Sequence, residues 1–216
     1  MAKTVTAAEM KERERAANEA GLLYIQMMEN AGRAAYAELK RRVPALRRLL
    51  IVAGKGNNGG DGFVMARVAA KEGVQVRVLL AEGEPKTADA KTNLARLAET
   101  AAEVVRDTEQ AAFGADAVVD ALYGTGFHGE LRPGGAAACA LMGRERERGA
   151  FVLALDLPSG VSADSGEVAE GAVQADATVT FDCTKPLHFA KASKPLCGAL
   201  VCADIGIGKA LEEHET

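Results

Sequence analysis

Three stretches of the chain set oxygen-bearing side chains among glycines. The first, Gly54-Lys55-Gly56-Asn57-Asn58-Gly59-Gly60-Asp61-Gly62, holds five glycines in nine residues ahead of a helical segment. A loop of this kind brings bare backbone amides to a helix N-terminus, where the dipole and the unpaired N–H groups bind phosphate or another anion. Its two asparagines and Asp61 add side-chain oxygens that a phosphate nest does not need. The second, Val118-Val119-Asp120-Ala121-Leu122-Tyr123-Gly124-Thr125-Gly126, puts an acid at the end of an apolar run, before a Gly-Thr-Gly turn that admits a ligand closely. The third, Leu155-Asp156-Leu157-Pro158-Ser159-Gly160, repeats the pattern. Asn58, Asp120 and Ser159 together would offer hard oxygen ligands, the type preferred by alkali and alkaline-earth cations over zinc or copper. The spacing does not choose the cation. Asp156 is then left free for proton transfer, for which a carboxylate must lie within about 3 Å of the substrate proton.

Several other chemistries are excluded. Gly54, Gly56 and Gly59 satisfy G-x-G-x-x-G, but the ribose-binding acid expected about 20 residues later has only a rough candidate in Glu82. No Gly-Lys-Ser/Thr follows the glycines, so a Walker-type loop is absent. Ser159 lacks the glycine of a G-x-S-x-G elbow, since Leu157 stands there. The three histidines (His128, His188, His214) and four cysteines (Cys139, Cys183, Cys197, Cys202) show no zinc-ligand spacing and no C-x-x-C pair. The cysteines read as reduced, mostly buried thiols.

These residues need a frame to meet. Runs such as Leu49-Leu50-Ile51-Val52-Ala53 and Val152-Leu153-Ala154-Leu155 are apolar on both faces, as a parallel strand covered by helices on each side must be. Strands are expected at 48–53, 75–80, 102–105, 117–122, 151–155, 177–181 and 199–203. Helices are expected from Ala7, behind a Thr6…Glu9 capping box, to Gly21, then at 22–41, 60–71, 87–100, 109–113 and 135–148. The alternation predicts one α/β domain over residues 1–216, a three-layer α/β/α sandwich with a mostly parallel sheet and N-terminal helices. Ligands of such a sheet sit outside the carboxyl ends of its strands, at a topological switch point.

With 48% hydrophobic and 26% charged residues, the chain has the composition of an ordinary globular domain. Its 43 alanines and 23 glycines make the core one of small side chains. A net charge of -4, with six Phe, three Tyr and no Trp, argues against nucleic acid as the main partner. No run approaches the roughly 18 apolar residues of a membrane span, and no secretory signal opens the chain. The expected location is the cytoplasm. With so few rings, the expected ligand contacts are backbone, carboxylate and aliphatic rather than stacked.

Six ordered blocks resemble the NAD(P)H-hydrate epimerase family, the YjeF N-terminal-domain superfamily. They are Met28-Glu29-Asn30-Ala31-Gly32, the Gly54 to Gly62 loop, Asp120 to Gly126, Asp156 to Val161, Ala175 to Phe181, and Ala203-Asp204-Ile205-Gly206-Ile207. The resemblance covers nearly the whole chain. It implies a Rossmann-like fold, commonly dimeric, that interconverts the R and S forms of hydrated NADH and NADPH for a dehydratase acting on the S form. That dehydratase is expected to be a separate protein, because no dehydratase domain is recognisable here. Carried over by motif, the resemblance assigns potassium to Asn58, Asp120 and Ser159. It assigns the hydrated nucleotide to Asn57, Asn58, Gly59, Gly60 and Asp61, to Gly124, Thr125, Gly126, Phe127, His128, Gly129 and Glu130, and to Asp156. Asp156 is the expected acid and base, giving a proton to the departing hydroxyl and recovering one from the returning water. Two features depart from the family pattern. Phe127-His128-Gly129-Glu130-Leu131-Arg132 lacks the polar residue expected after the Gly-Thr-Gly turn, which moves the phosphate contact to Arg132 or removes it. Residues 182–189 lack a glycine-rich form but keep Lys185-Pro186, and His188 reads as a packed or solvent-facing side chain. The alternatives are a non-catalytic scaffold of the same fold and an NAD-dependent dehydrogenase.

Overall fold

The computed structural model describes residues 3–214. Seven strands, β1 (Arg48–Ala53), β2 (Gln75–Leu80), β3 (Glu103–Val105), β4 (Ala117–Ala121), β5 (Phe151–Leu155), β6 (Ala177–Phe181) and β7 (Ala199–Ala203), form one sheet in the order β3-β2-β1-β4-β5-β6-β7. Every strand pairing is parallel, so the expected mostly parallel sheet is parallel throughout. The chain winds outward from β1 through β2 to β3, then returns to place β4 on the other side of β1. The loops leaving β1 and β4 therefore diverge, and the crevice between them is the switch point.

The apolar runs divide by pleat. Leu49, Ile51 and Ala53 face one side, packed with α1 (Ala7–Glu19), α2 (Tyr24–Arg42), α3 (Asn57–Lys71) and α4 (Ala88–Leu97). Leu50 and Val52 face the other side, with α5 (Thr108–Ala111) and α6 (Pro133–Glu147). A further helix, α7 (Ile207–His214), is absent from the sequence expectation and buries Ile207 in the first of these layers. Other boundaries shift by one to three residues, as end effects allow.

One shift matters for function. Helix α3 begins at Asn57 rather than Gly60, so Asn57 to Asp61 form its opening turns and not a loop. Glycine disfavours helix by propensity, and packing overrides it here. A Cβ on Gly59 would lie 2.2 Å from the Gly54 carbonyl oxygen, and one on Gly62 would lie 2.7 Å from Ala121 Cβ. Gly54 is tighter still, since its Cβ would lie 1.8 Å from the Leu122 carbonyl oxygen. The exits of β1 and β4 are in backbone contact, and only glycine permits it.

Helix α1 is seated from the far end of the chain. Thr4 bridges Thr184 in parallel, Val5 N donates to Thr184 O at 2.9 Å, and Ala7 N donates to Asp164 Oδ1 at 2.7 Å. The expected capping box is present: Thr6 Oγ1 accepts from Glu9 N and Glu9 Oε2 accepts from Thr6 N. Arg13 pairs with Asp182 at 2.9 Å.

The Gly54 contact yields a test. Gly54→Ala should lower unfolding stability by about 1–3 kcal/mol or more, as overpacking does, in urea titrations. Gly56→Ala, where nothing lies within 4 Å of the added Cβ, should cost far less.

Candidate active site

The switch-point crevice opens into a cavity of about 620 Å³. Its wall includes Asn57, Asn58 and Asp61 from α3, the Gly124 to His128 turn with Glu130, and Asp156 and Lys185 beyond β5 and β6. Ten of the thirteen residues expected to hold the nucleotide line it. Sequence reasoning misplaces three glycines: Gly59 and Gly60 are buried within α3, and Gly129 turns away at φ +76° toward a neighbouring groove.

Asp156 leaves β5 with φ +65°, a left-handed conformation that costs a non-glycine residue energy and is kept only where surroundings enforce it. The restraints are visible. Its N–H donates to Val179 O at 2.7 Å. Its carbonyl lies 3.0 Å from His188 Nε2, while Lys185 N donates to His188 Nδ1 at 3.0 Å. Since Nδ1 accepts, Nε2 carries the proton and donates to Asp156. Burial pushes His188 down to about 4, which keeps the ring neutral and this tautomer in place. The histidine is the packed member of the two roles expected for it.

The Asp156 carboxylate receives Lys185 Nζ on Oδ1 at 2.5 Å and the Thr180 hydroxyl on the same oxygen at 3.0 Å. Lys185 is 1% exposed, and its ammonium also donates to Thr180 Oγ1 and the Phe181 carbonyl. A buried ammonium so enclosed requires an anion beside it. Asp156 Oδ2 points toward Gly124, where an added Cβ would lie 3.8 Å from it.

Asn58, Asp120 and Ser159 meet around the backbone of Tyr123. Asn58 Nδ2 donates to Tyr123 O at 2.8 Å, and Tyr123 N donates to Ser159 Oγ at 3.0 Å. Ser159 Oγ donates to Asp120 Oδ1 at 2.6 Å, and Ser159 N donates to Asp120 Oδ2 at 2.7 Å. Asp120 and Ser159 are fully buried. Burial raises the Asp120 carboxyl to about 6 against these hydrogen bonds. Asn58 Oδ1 is buried with no donor in reach. An orphaned amide oxygen beside a buried carboxylate and a serine oxygen is a donor set that suits a hard monovalent cation.

Rings are scarce in the chain, yet three of them gather at the cavity. Tyr123, Phe127 and Phe181 all line the cavity, and Tyr123 stacks on Phe127 with centroids 5.0 Å apart. Scarcity along the chain did not mean scarcity at the site. Arg132 stands at the cavity edge, but its guanidinium is held by Glu82 at 3.0 Å, and Glu82 also accepts from Tyr123 Oη at 2.9 Å. Among the wall residues absent from the sequence reading are Glu14 and Lys185 as a partner of Asp156. Glu14 did carry a signal: with Met10 and Ala17, both buried, it occupies the i, i+4, i+7 face of α1. Lys185 was marked by the retained Lys185-Pro186 pair, but nothing local ties it to Asp156.

Fold and site define a doubly wound α/β protein with a carboxylate-lined cavity at the β1/β4 switch point, under the N-terminus of α3. The family model described as "YjeF-related protein N-terminus" matches residues 24–187, and the chain belongs to this family. It is 40% identical over 207 residues to a protein of Pirellula staleyi named NAD(P)H-hydrate epimerase, covering 90% of this chain and 88% of that one. It is 36% identical over 202 residues to the bifunctional NAD(P)H-hydrate repair enzyme Nnr of Coxiella burnetii, covering 93% of this chain but 41% of that protein. The chain therefore spans less than half the length of that bifunctional relative. The crystal structure of yeast ynu0, YNL200c, shares the fold, with a TM-score of 0.76 at 20% identity over 94% of this chain and 88% of that one.

The buried histidine sets a pH dependence. Its pKa falls from 6.5 to about 4 on folding, so below pH 6.5 the unfolded chain takes up a proton that the folded one refuses. Stability is complete above 6.5 and is lost as pH falls to about 4, by about 3 kcal/mol. Urea unfolding across this window should show the gap between wild type and His188→Gln narrowing as pH drops; a constant gap would refute the assignment.

Proposed function

We propose that this chain interconverts the R and S forms of hydrated NADH and NADPH. The observation that carries the reading is the Asp156–Lys185 pair set into the cavity wall beside the α3 N-terminus, in a chain whose full-length relative is named for this activity. The amides opening α3 suit the dinucleotide phosphates. The hydrated ring then reaches Asp156, with Tyr123, Phe127 and Phe181 as the apolar surfaces around it.

The hydrate carries a hydroxyl on the carbon beside the ring nitrogen. Donation from the nitrogen lone pair expels that hydroxyl as water once it is protonated, and water returning to the opposite face inverts the centre. Asp156, paired with Lys185, takes the proton of the returning water. Its Oδ2, free of the lysine, is the oxygen presented for this step. Asn58, Asp120 and Ser159 would hold potassium, whose contribution is to fix the Tyr123 to Gly126 turn and hence the substrate's position.

Cytoplasmic location, assembly as a homodimer and supply of the S epimer to a dehydratase complete the proposal. The family resemblance supports the dimer and the dehydratase link, and the location rests on the sequence reading. Among the described residues no helix is long and apolar enough to cross a membrane.

Incubation with purified R hydrate and chromatographic separation of the epimers tests the activity; an inert wild type, with and without potassium, would favour a non-catalytic scaffold. Asp156→Asn should bind the nucleotide but epimerise at least about 100-fold more slowly. Unchanged turnover would remove Asp156 from the chemistry. Asn58→Leu should abolish any activation by potassium, and potassium activation that survives this substitution would place the cation elsewhere.

A further inference from the structure

Asp156 beside Lys185 meets the base half of the reaction, but the departing hydroxyl also needs a group that arrives protonated. Four more carboxyls line the same cavity: Glu82 is held by Arg132, Glu130 is exposed, and the other two are Glu14 from α1 and Asp61 from α3. Among the described residues neither has a hydrogen-bond or salt-bridge partner. The nearby Asp182, by contrast, is taken by Arg13 and by the Cys183 thiol. Glu14 does not face the cavity by accident. Met10 and Ala17, on the same face of α1, are buried, and the Thr4–Thr184 bridge with the Arg13–Asp182 pair fixes the helix's rotation.

The anions facing these groups favour a bound proton, and the cations beside them do not outweigh burial. Glu14 meets Asp156 and Asp182 as anions, and the cations near it are Lys185, already paired, and Lys11 on its own helix. Asp61 meets Asp156 and Glu14, again with Lys185 as the opposing cation. Burial, reinforced by these anions, raises Glu14 to about 7 and Asp61 well above the usual carboxylate range. Three carboxyls crowded around one committed ammonium do not all ionise near neutral pH.

We propose that Glu14 and Asp61 are the acid side of this site, holding a proton between them and delivering it to the substrate hydroxyl that leaves. The inference rests on the epimerase reading above. The balance is simple. One proton passes from the Glu14/Asp61 pair to the hydroxyl, the carbon–oxygen bond breaks, and water departs as the ring nitrogen takes up the positive charge. Water then adds to the other face, a carbon–oxygen bond forms, and one proton passes to Asp156. Transfer of that proton back to the Glu14/Asp61 pair resets the site without redox change. Run in reverse, the same groups serve the other epimer.

The test joins a titration to kinetics. Carbon-13 carboxyl NMR of the full chain, assigned with Glu14→Gln and Asp61→Asn, should show at least one of the two carboxyls titrating near neutral pH. Each variant should bind the hydrate within about twofold of wild type, by calorimetry, yet epimerise about 100-fold more slowly. In wild type the rate should fall as pH rises through the titration seen by NMR. Glu14→Asp should restore part of the rate and keep that alkaline limb, which a merely structural role for Glu14 would not predict. An active wild type whose Glu14→Gln and Asp61→Asn forms keep both rate and limb would overturn the proposal, as would two carboxyls titrating in the ordinary acidic range. A wild type that shows the neutral titration but no turnover overturns the epimerase reading instead, and the donor role with it.

Discussion

The site depends on two peptide backbones being allowed to touch. Where β1 and β4 leave the sheet, Gly54 lies against the Leu122 carbonyl so closely that a single added carbon would sit inside it. Because they touch, the α3 N-terminus starts beside the β4 exit, and Asn58 reaches the Tyr123 carbonyl. Tyr123 in turn holds Ser159, and Ser159 holds Asp120. Spread the two strand exits by the width of a methyl group and the oxygen cluster no longer meets. The glycines of this loop are there first for steric reasons, and the exposed amides that suit an anion follow from the same close packing.

A second constraint acts on charge. The far wall is built from β5 and β6, where Asp156 is turned into a left-handed conformation and Lys185 is sealed behind it. Neither arrangement is stable alone: the conformation is strained, and an isolated buried ammonium is costly. Each compensates the other, with a neutral His188 bracing the backbone from behind. The lysine is committed to Asp156, so Glu14 and Asp61 have no ion-pair partner of their own. That imbalance separates groups of one chemical type into an anion and proton carriers.

Much of this was legible in the chain. The apolar-on-both-faces runs at Leu49 to Ala53 and Val152 to Leu155 foretell parallel strands, and acids at strand ends foretell a site at the sheet's carboxyl edge. Local reading failed where tertiary packing overruled it. The start of α3 was placed late because glycine propensity says loop, whereas Gly59 and Gly62 are helical through contacts with Gly54 and Ala121. Of the aromatic wall only Phe127 was named, because overall composition says nothing about where rings gather. Lys185 escaped because its partner lies 29 residues away and only the crossover brings them together. Motif residues outside the cavity prove structural: Asn30 donates to Ile205 O, and Asp176 accepts from Val152 N and pairs with Arg146.

The seating of α1 bears on the order in which the protein is built. The helix emerges early from the ribosome, yet its docking strand partner, Thr184, lies 180 residues further along. Synthesis proceeds from the N-terminus, so α1 and its carboxylate wait, unpaired, while nearly the whole sheet is made. Long-range closures of this kind come late in folding. A nascent chain thus cannot close the wall that carries Glu14 until the Thr184 end of the sheet has been made, and up to that point its site is unfinished.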